Sequence, residues 1–288
     1  MFDFTDVAWH NGQIVPRDAC SPSVGSPSLQ LGVAVFDGMM AYWNTDHYNV
    51  FMLHEHLVRF ERNAVGMDLS YPWSINDVEC AIRDLLARCP AQTYYVRPIA
   101  YRAGPQLNVS PPQLPVTDLT IYGVTAPRDI DTSLACTISP IERISSKAVP
   151  VSWKVCGTYA NSYLARRSAH KAGFDDGIFL SNAGVIAEAS AANIFFIAGD
   201  RLVTPSVDCD CFPGITRMCV MALAEQAGLK VTEDRIRADR LHEFDAAFLT
   251  ATLMELKPVE RIDDVRYSSA VHPVFRDLLA GFRRLTHS

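Results

Sequence analysis

No run in this 288-residue sequence approaches the ~18 consecutive apolar residues that a membrane-spanning helix needs. There is no G-x-G-x-x-G segment and no phosphate-loop motif, which removes dinucleotide and nucleoside-triphosphate chemistry. Positive charge is also scarce. The net charge is −6, and basic spots such as Arg235-Ile236-Arg237 are interrupted by acids. No basic stripe exists to release counterions, so nucleic acid is not expected as a partner. Close cysteine pairs are limited to Cys209-Asp210-Cys211, without a second pair at zinc spacing. No metal site is therefore expected, and eight scattered thiols suit a reducing cytoplasm. The first residues, Met1-Phe2-Asp3-Phe4-Thr5-Asp6, carry acids and no apolar leader core, so no secretory signal is expected.

What remains is an ordinary globular composition, 49% hydrophobic and 20% charged, in a chain long enough for two domains or one large one. Val7 to Val15 reads as a hairpin with Asn11-Gly12 as a type I′ turn. Val33 to Phe36 and Met39 to Trp43 flank Asp37-Gly38 and are expected to pair with each other. His54 to Val65 and Ile75 to Cys89 read as helices, and Thr93 to Tyr101 and Asp118 to Thr125 as strands. Ala126 to Asp131 is the best linker candidate. The division expected is a small domain over 1–125, a linker over 126–133 and a larger domain over 134–288. Beyond the linker we expect a strand from Leu134 to Ile138, a strand bearing Lys154, and a helix from about Asn161 to Lys171. Short strands near Gly177 to Leu180, Asn193 to Ile197 and Arg201 to Val203 follow, then a helix from Ile215 to Ala227 with Gly228 at its C′ position. Irregularly mixed strands and helices with hairpins argue for an α+β fold.

Three features carry chemistry. Lys154 stands alone in the apolar stretch Val151-Ser152-Trp153-Lys154-Val155-Cys156, Glu188 is a lone carboxylate in Ile186-Ala187-Glu188-Ala189, and Pro213-Gly214-Ile215-Thr216 opens a helix. An amine, a buried acid and a helix start with free N–H groups are the parts needed to hold pyridoxal 5′-phosphate. Singly, each has a plainer explanation. Lys154 could reach solvent from a strand end, Glu188 could sit on a surface turn after Asn182-Ala183-Gly184, and Arg59 could pair with Glu55 on an exposed helix face. His54 and His56 would diverge on a helix, which disfavours them as metal ligands.

In order, the segments resemble the class IV aminotransferases (fold-type IV pyridoxal-phosphate enzymes), nearest to the branched-chain amino acid aminotransferases. Gly32 to Tyr42 resembles the family's G-x-x-V-F-E-G-x-x-x-Y segment, and His56-Leu57-Val58-Arg59 its H-x-x-R segment. Tyr95-Val96-Arg97-Pro98, the Lys154 stretch, Glu188 with Asn193 and Phe195, Pro213 to Arg217, and Ala251 to Val259 follow in the family's order. The resemblance implies a smaller N-terminal α/β sandwich-like domain and a larger C-terminal pseudo-barrel domain. It implies Lys154 as the Schiff-base lysine, Glu188 on the pyridine nitrogen and Tyr159 on the ring oxygen, with Arg59, Ile215, Thr216 and Thr252 on the phosphate. It also implies Phe36, Tyr95, Arg97, Ala251 and Leu253 around the substrate, an L-amino acid and a 2-oxo acid such as 2-oxoglutarate. A cytoplasmic enzyme that is at least a homodimer is implied too. Within the same fold, an aminodeoxychorismate-lyase-like or D-amino-acid-specific activity is the alternative. Leu31, Met40 and Thr125-Ala126-Pro127-Arg128 depart from the branched-chain pattern, so a roomier side-chain pocket is expected.

Overall fold

In the computed structural model, residues 3–110, 116–125 and 132–286 are described, and 126–131 of the linker expected over 126–133 lie outside them. The chain divides into two compact units, and each holds one sheet. The first comprises Met1–Pro127 with Trp153–Thr158, and the second Arg128–Ser152 with Tyr159–Thr286. The division by sequence assigns the Lys154 segment to the second domain, whereas its contacts place it in the first unit.

Among the described residues, the first unit has eight strands, all antiparallel, with a main path of Gln13–Pro16, Val7–His10, Thr117–Thr125, Tyr94–Arg102, Met39–Asn44 and His47–Val50. Asn11 and Gly12 both have positive φ (47° and 91°), as a type I′ turn requires. A one-turn helix, α1 (Pro27–Gln30), precedes two longer ones, α2 (Leu53–Gly66) and α3 (Ile75–Leu86). Ser74 caps α3 in a reciprocal capping box with Asp77. Leu57, Phe60, Val78, Ile82 and Leu85 from these helices pack on Val35, Met39, Val96, Leu119 and Ile121 from the sheet. Strand alternation then sends Tyr95, with Met40 and Tyr42, to the opposite face.

One expected pairing is corrected. Ala34–Phe36 and Met39–Asn44 do not pair with each other across Asp37-Gly38, because both pair with Tyr94–Arg102. Phe36 lies opposite Ile99 and Met39 opposite Val96, so Asp37-Gly38 is a gap in one ladder, facing Arg97-Pro98. The Pro98 carbonyl accepts from the Asp37 N–H, and proline has no N–H to return. The gap also needs glycine. A Cβ on Gly38 would lie 1.8 Å from the Tyr95 hydroxyl.

The second unit holds nine strands of mixed direction among its described residues. Two strand–helix–strand units supply parallel pairs: Leu134–Ile138 and Asp176–Leu180 around α4 (Tyr159–Lys171), and Arg201–Pro205 and Lys230–Asp234 around α5 (Ile215–Gln226). The edge strand Ile186–Ala189 turns back on the sheet, where the Ala189 N–H donates to the Ala192 carbonyl, just before the strand Asn193–Ala198. This partial closure gives the sheet a half-barrel character. Ile194, Phe196, Val203, Leu249, Val259 and Ile262 fill one side of the sheet. On the other, Phe195 stacks on Phe248, which packs at a tilt against Phe275 of α6 (Pro273–Thr286). No helix among the described residues is long and apolar enough to cross a membrane.

Candidate active site

The buried face of α2 holds three polar side chains, His56, Arg59 and Asn63, beside Leu53, Leu57, Phe60 and Ala64. Burying such groups costs several kcal/mol unless each has a partner. Asp37, in the ladder gap, supplies one. Arg59 donates from Nε to Asp37 Oδ2 and from Nη2 to Oδ1, each at 2.7 Å, and His56 Nδ1 lies 2.8 Å from Oδ1. Burial pushes the Asp37 carboxyl up, but Arg59 and His56 together outweigh that and hold it well below the usual carboxylate range. Burial in turn holds the His56 imidazole below its ordinary value despite Asp37. Arg59 is thus no surface partner of Glu55, which corrects the plainer explanation of this helix.

Lys154 is not on a strand, contrary to the sequence expectation. It lies in an irregular stretch between Trp153 and the 3-10 turn Cys156–Thr158, and only Val155 bridges to Val35. The apolar run reads as a strand because it packs against one: the Lys154 carbonyl accepts from the Phe36 N–H at 3.1 Å. Its Nζ lies 5.1 Å from the centre of the Phe36 ring. The Arg97 guanidinium lies over the same ring at 4.4 Å, and its Nη2 is 3.4 Å from the Tyr95 hydroxyl. Desolvation works against the Arg97 charge, yet Tyr95 and Tyr122 more than compensate and hold it firmly protonated. Phe36, Tyr95, Arg97 and Lys154 are therefore gathered on one side of the first unit, with Arg59 anchored one residue beyond Phe36.

In the second unit Glu188 lies on the strand Ile186–Ala189 and is only 6% exposed, so it does not sit on a surface turn. Its Oε2 accepts from Asn193 Nδ2 at 3.1 Å and from the Phe212 N–H at 3.0 Å, and its Oε1 is 2.9 Å from Arg143 Nε. Asn193 Nδ2 also donates to the Phe212 carbonyl at 2.7 Å, fastening the turn that starts α5. That close approach requires Gly214, where a Cβ would stand 2.2 Å from Asn193 Oδ1. Glu188 is thereby tied to the start of α5, whose first residues, Ile215 and Thr216, are buried. Tyr159 is half-buried at the first position of α4. Ala251 closes a strand opposite Glu255, which places Thr252 and Leu253 in the connecting turn, with Leu253 exposed.

Sequence reasoning missed Asp37, Asn63 and Arg143. Asp37 carried a signal, since it occupies the acidic position of the G-x-x-V-F-E-G-like segment. Asn63 could have been found from the spacing 56, 59, 63 on one helix face. Arg143 sits in Ile141-Glu142-Arg143, where nothing in the sequence marks it as buried beside an acid. Of the close cysteine pair, both are buried and free, and burial pushes the Cys209 thiol up to about 11 and Cys211 up to about 12. No group of three or more metal-binding side chains occurs among the described residues.

Residues 34–262 match the family described as Amino-transferase class IV. A probable branched-chain-amino-acid aminotransferase of Aquifex aeolicus is 32% identical over 281 residues, covering 95% of this chain and 90% of that protein. The branched-chain aminotransferase of Thermoproteus uzoniensis, solved with norvaline, superposes with a TM-score of 0.92 at 28% identity, covering 98% of this chain and 95% of that one. A second branched-chain amino acid aminotransferase, from the organism abbreviated T.th., was solved in complex with N-(5′-phosphopyridoxyl)-L-glutamate. It gives a TM-score of 0.91 at 29% identity, covering 97% of this chain and 94% of that one. With the family pattern matched over most of its length, the chain belongs to the class IV aminotransferases.

Proposed function

We propose that this aminotransferase uses pyridoxal 5′-phosphate to move the amino group of an L-amino acid, branched-chain or similarly apolar, to 2-oxoglutarate. The observation that carries this reading is Lys154, an amine held over the Phe36 ring by a backbone that Phe36 itself fixes. The donor set fits the cofactor. Lys154 offers the amine, Glu188 a carboxylate paired with Arg143 to face a protonated ring nitrogen, and Tyr159 a hydroxyl for the ring oxygen. Arg59, the N–H groups of Ile215 and Thr216 at the start of α5, and Thr252 suit the phosphate. When bound, the cofactor supplies an electron sink for the pair left on the substrate α-carbon.

Lys154 serves as the base that removes the α-proton and the acid that returns it. Arg97, with the Tyr95 hydroxyl beside it, binds the substrate carboxylate, and Phe36, Ala251 and Leu253 border the side chain. Glutamate joined to the phosphopyridoxyl group in the complex of the T.th. enzyme supports 2-oxoglutarate as acceptor. Norvaline in the Thermoproteus uzoniensis structure supports an aliphatic donor. Leu31 and Met40 reshape the pocket, so donors larger than leucine are accepted. Met40 packs against Tyr42 and Tyr95.

The test is an amino-donor panel against 2-oxoglutarate with the wild type and Lys154→Ala. We expect turnover of leucine and isoleucine by the wild type, lost by at least three orders of magnitude in the variant. Borohydride should trap phosphopyridoxyl on the Lys154 peptide of the wild type alone. Trapping on another lysine, or near-native turnover in Lys154→Ala, overturns the reading.

A further inference from the structure

Lys154 belongs to no helix or strand, so its position rests on individual bonds. Its carbonyl accepts from the Phe36 N–H. Its N–H meets Asn63, which is fully buried on α2. In the orientation that gives both ends of the carboxamide a partner, Asn63 Oδ1 accepts from the Lys154 N–H at 3.1 Å and Nδ2 donates to the Arg59 carbonyl at 3.2 Å. One turn further along α2, Trp153 lies so close to Gly66 that a Cβ there would stand 2.4 Å from the indole. The Lys154 segment is therefore laid against the second half of the helix that bears Arg59.

These contacts close a ring. From the Lys154 N–H it runs through Asn63 to Arg59 on the same helix, from the Arg59 guanidinium to Asp37, and from Asp37 through the adjoining Phe36 N–H back to the Lys154 carbonyl. The ring fixes the backbone on both sides of Lys154 against the helix that carries Arg59. A buried carboxamide with both ends satisfied resists rotation, because turning it would leave an N–H facing an N–H.

We infer that Asn63 is a positioning residue that sets the spacing between the Lys154 amine and the Arg59 guanidinium. The inference rests on the proposal that Lys154 and Arg59 bind pyridoxal 5′-phosphate, for which that spacing has to suit the reach from aldehyde to phosphate. Asn63 bonds to the backbones of Lys154 and Arg59, not to their charged groups. It acts through the backbone on which Lys154 stands.

The experiment measures the rate at which borohydride-trappable phosphopyridoxyl appears on the Lys154 peptide when pyridoxal 5′-phosphate is added to apoprotein. Asn63→Leu keeps the number and branching of the side-chain heavy atoms and removes both bonds, and Asn63→Ala removes volume as well. Leu57→Ala, on the same buried face of α2 but with no bond to Lys154, serves as a control for lost stability. We expect both Asn63 variants to slow trapping by about tenfold, because the Lys154 N–H is left buried without its acceptor. Leu57→Ala should melt lower while trapping within about twofold of the wild type at a temperature where all are folded. Trapping at the wild-type rate in Asn63→Leu, or equal slowing in Leu57→Ala, overturns the inference. Absence of trapping on Lys154 in the wild type would instead overturn the proposed cofactor role on which it rests.

Discussion

Asp37 and Glu188 are both buried carboxylates facing a guanidinium, yet the two ion pairs are built in opposite senses. In the first unit Asp37 is completely buried and gives both oxygens to the fork of Arg59, with His56 on one of them. In the second, Arg143 Nε lies 2.9 Å from Oε1 of Glu188, while Oε2 accepts from an amide and a backbone N–H. In the first pair the acid holds the base in place. In the second the base and two N–H donors surround the acid. Both carboxylates also accept from a backbone N–H, Asp37 from Gly38 and Glu188 from Phe212. The same residue types thus differ in how the guanidinium meets the acid, with two nitrogens on two oxygens at Asp37 and with Nε alone beside one oxygen at Glu188.

The largest effect that would break this contrast is expected at Asp37. Asp37→Ala leaves Arg59 and His56 buried without their acceptor, and breaking a buried pair by removing one partner costs ~3–5 kcal/mol. Urea unfolding should show the loss as a lower midpoint with an unchanged slope. A loss under ~1 kcal/mol would mean that water reaches Arg59 and that the fork does not hold it. Removing the guanidinium from the second pair should cost less. In Arg143→Met, Glu188 keeps Asn193 and the Phe212 N–H, so the expected loss is ~1–3 kcal/mol, the range for a buried polar group that loses one of its partners. A loss equal to that of Asp37→Ala would erase the distinction between grip and dispersal.

Legibility followed the same line. The helices over 53–66, 75–86, 159–171 and 215–226 and the Asn11-Gly12 hairpin were visible in periodicity and turn chemistry. The pairing of Ala34–Phe36 with Tyr94–Arg102 was not, because Asp37-Gly38 is a plausible turn until the third strand and Pro98 are in place. The Lys154 stretch has strand composition for the sake of packing, and local sequence cannot separate that from ladder pairing. The resemblance picks out residues of known type at known spacing, such as Lys154, Glu188 and Arg59. The partners that hold them are set by tertiary approach. Arg143 is 45 residues from Glu188 in sequence (188 minus 143), and no local pattern joins them.

The smallest predicted effect is a pH dependence of stability that belongs to the first pair. His56 has a folded-state value depressed below its ordinary 6.5, so protons bind the unfolded chain first. Its contribution is full above about pH 6.5 and falls as the pH drops through the depressed value. Asp37 is depressed below its ordinary 3.8, so its contribution is full above about pH 4 and is lost as the pH falls further. Both losses lie on the acid side, with the His56 limb coming first. Between about pH 7 and pH 5 the wild type should therefore lose more stability than His56→Gln, which has no imidazole to protonate. Urea unfolding of the two proteins at each pH measures the difference directly. If the gap between them stays constant over that range, His56 is not held neutral beside Asp37.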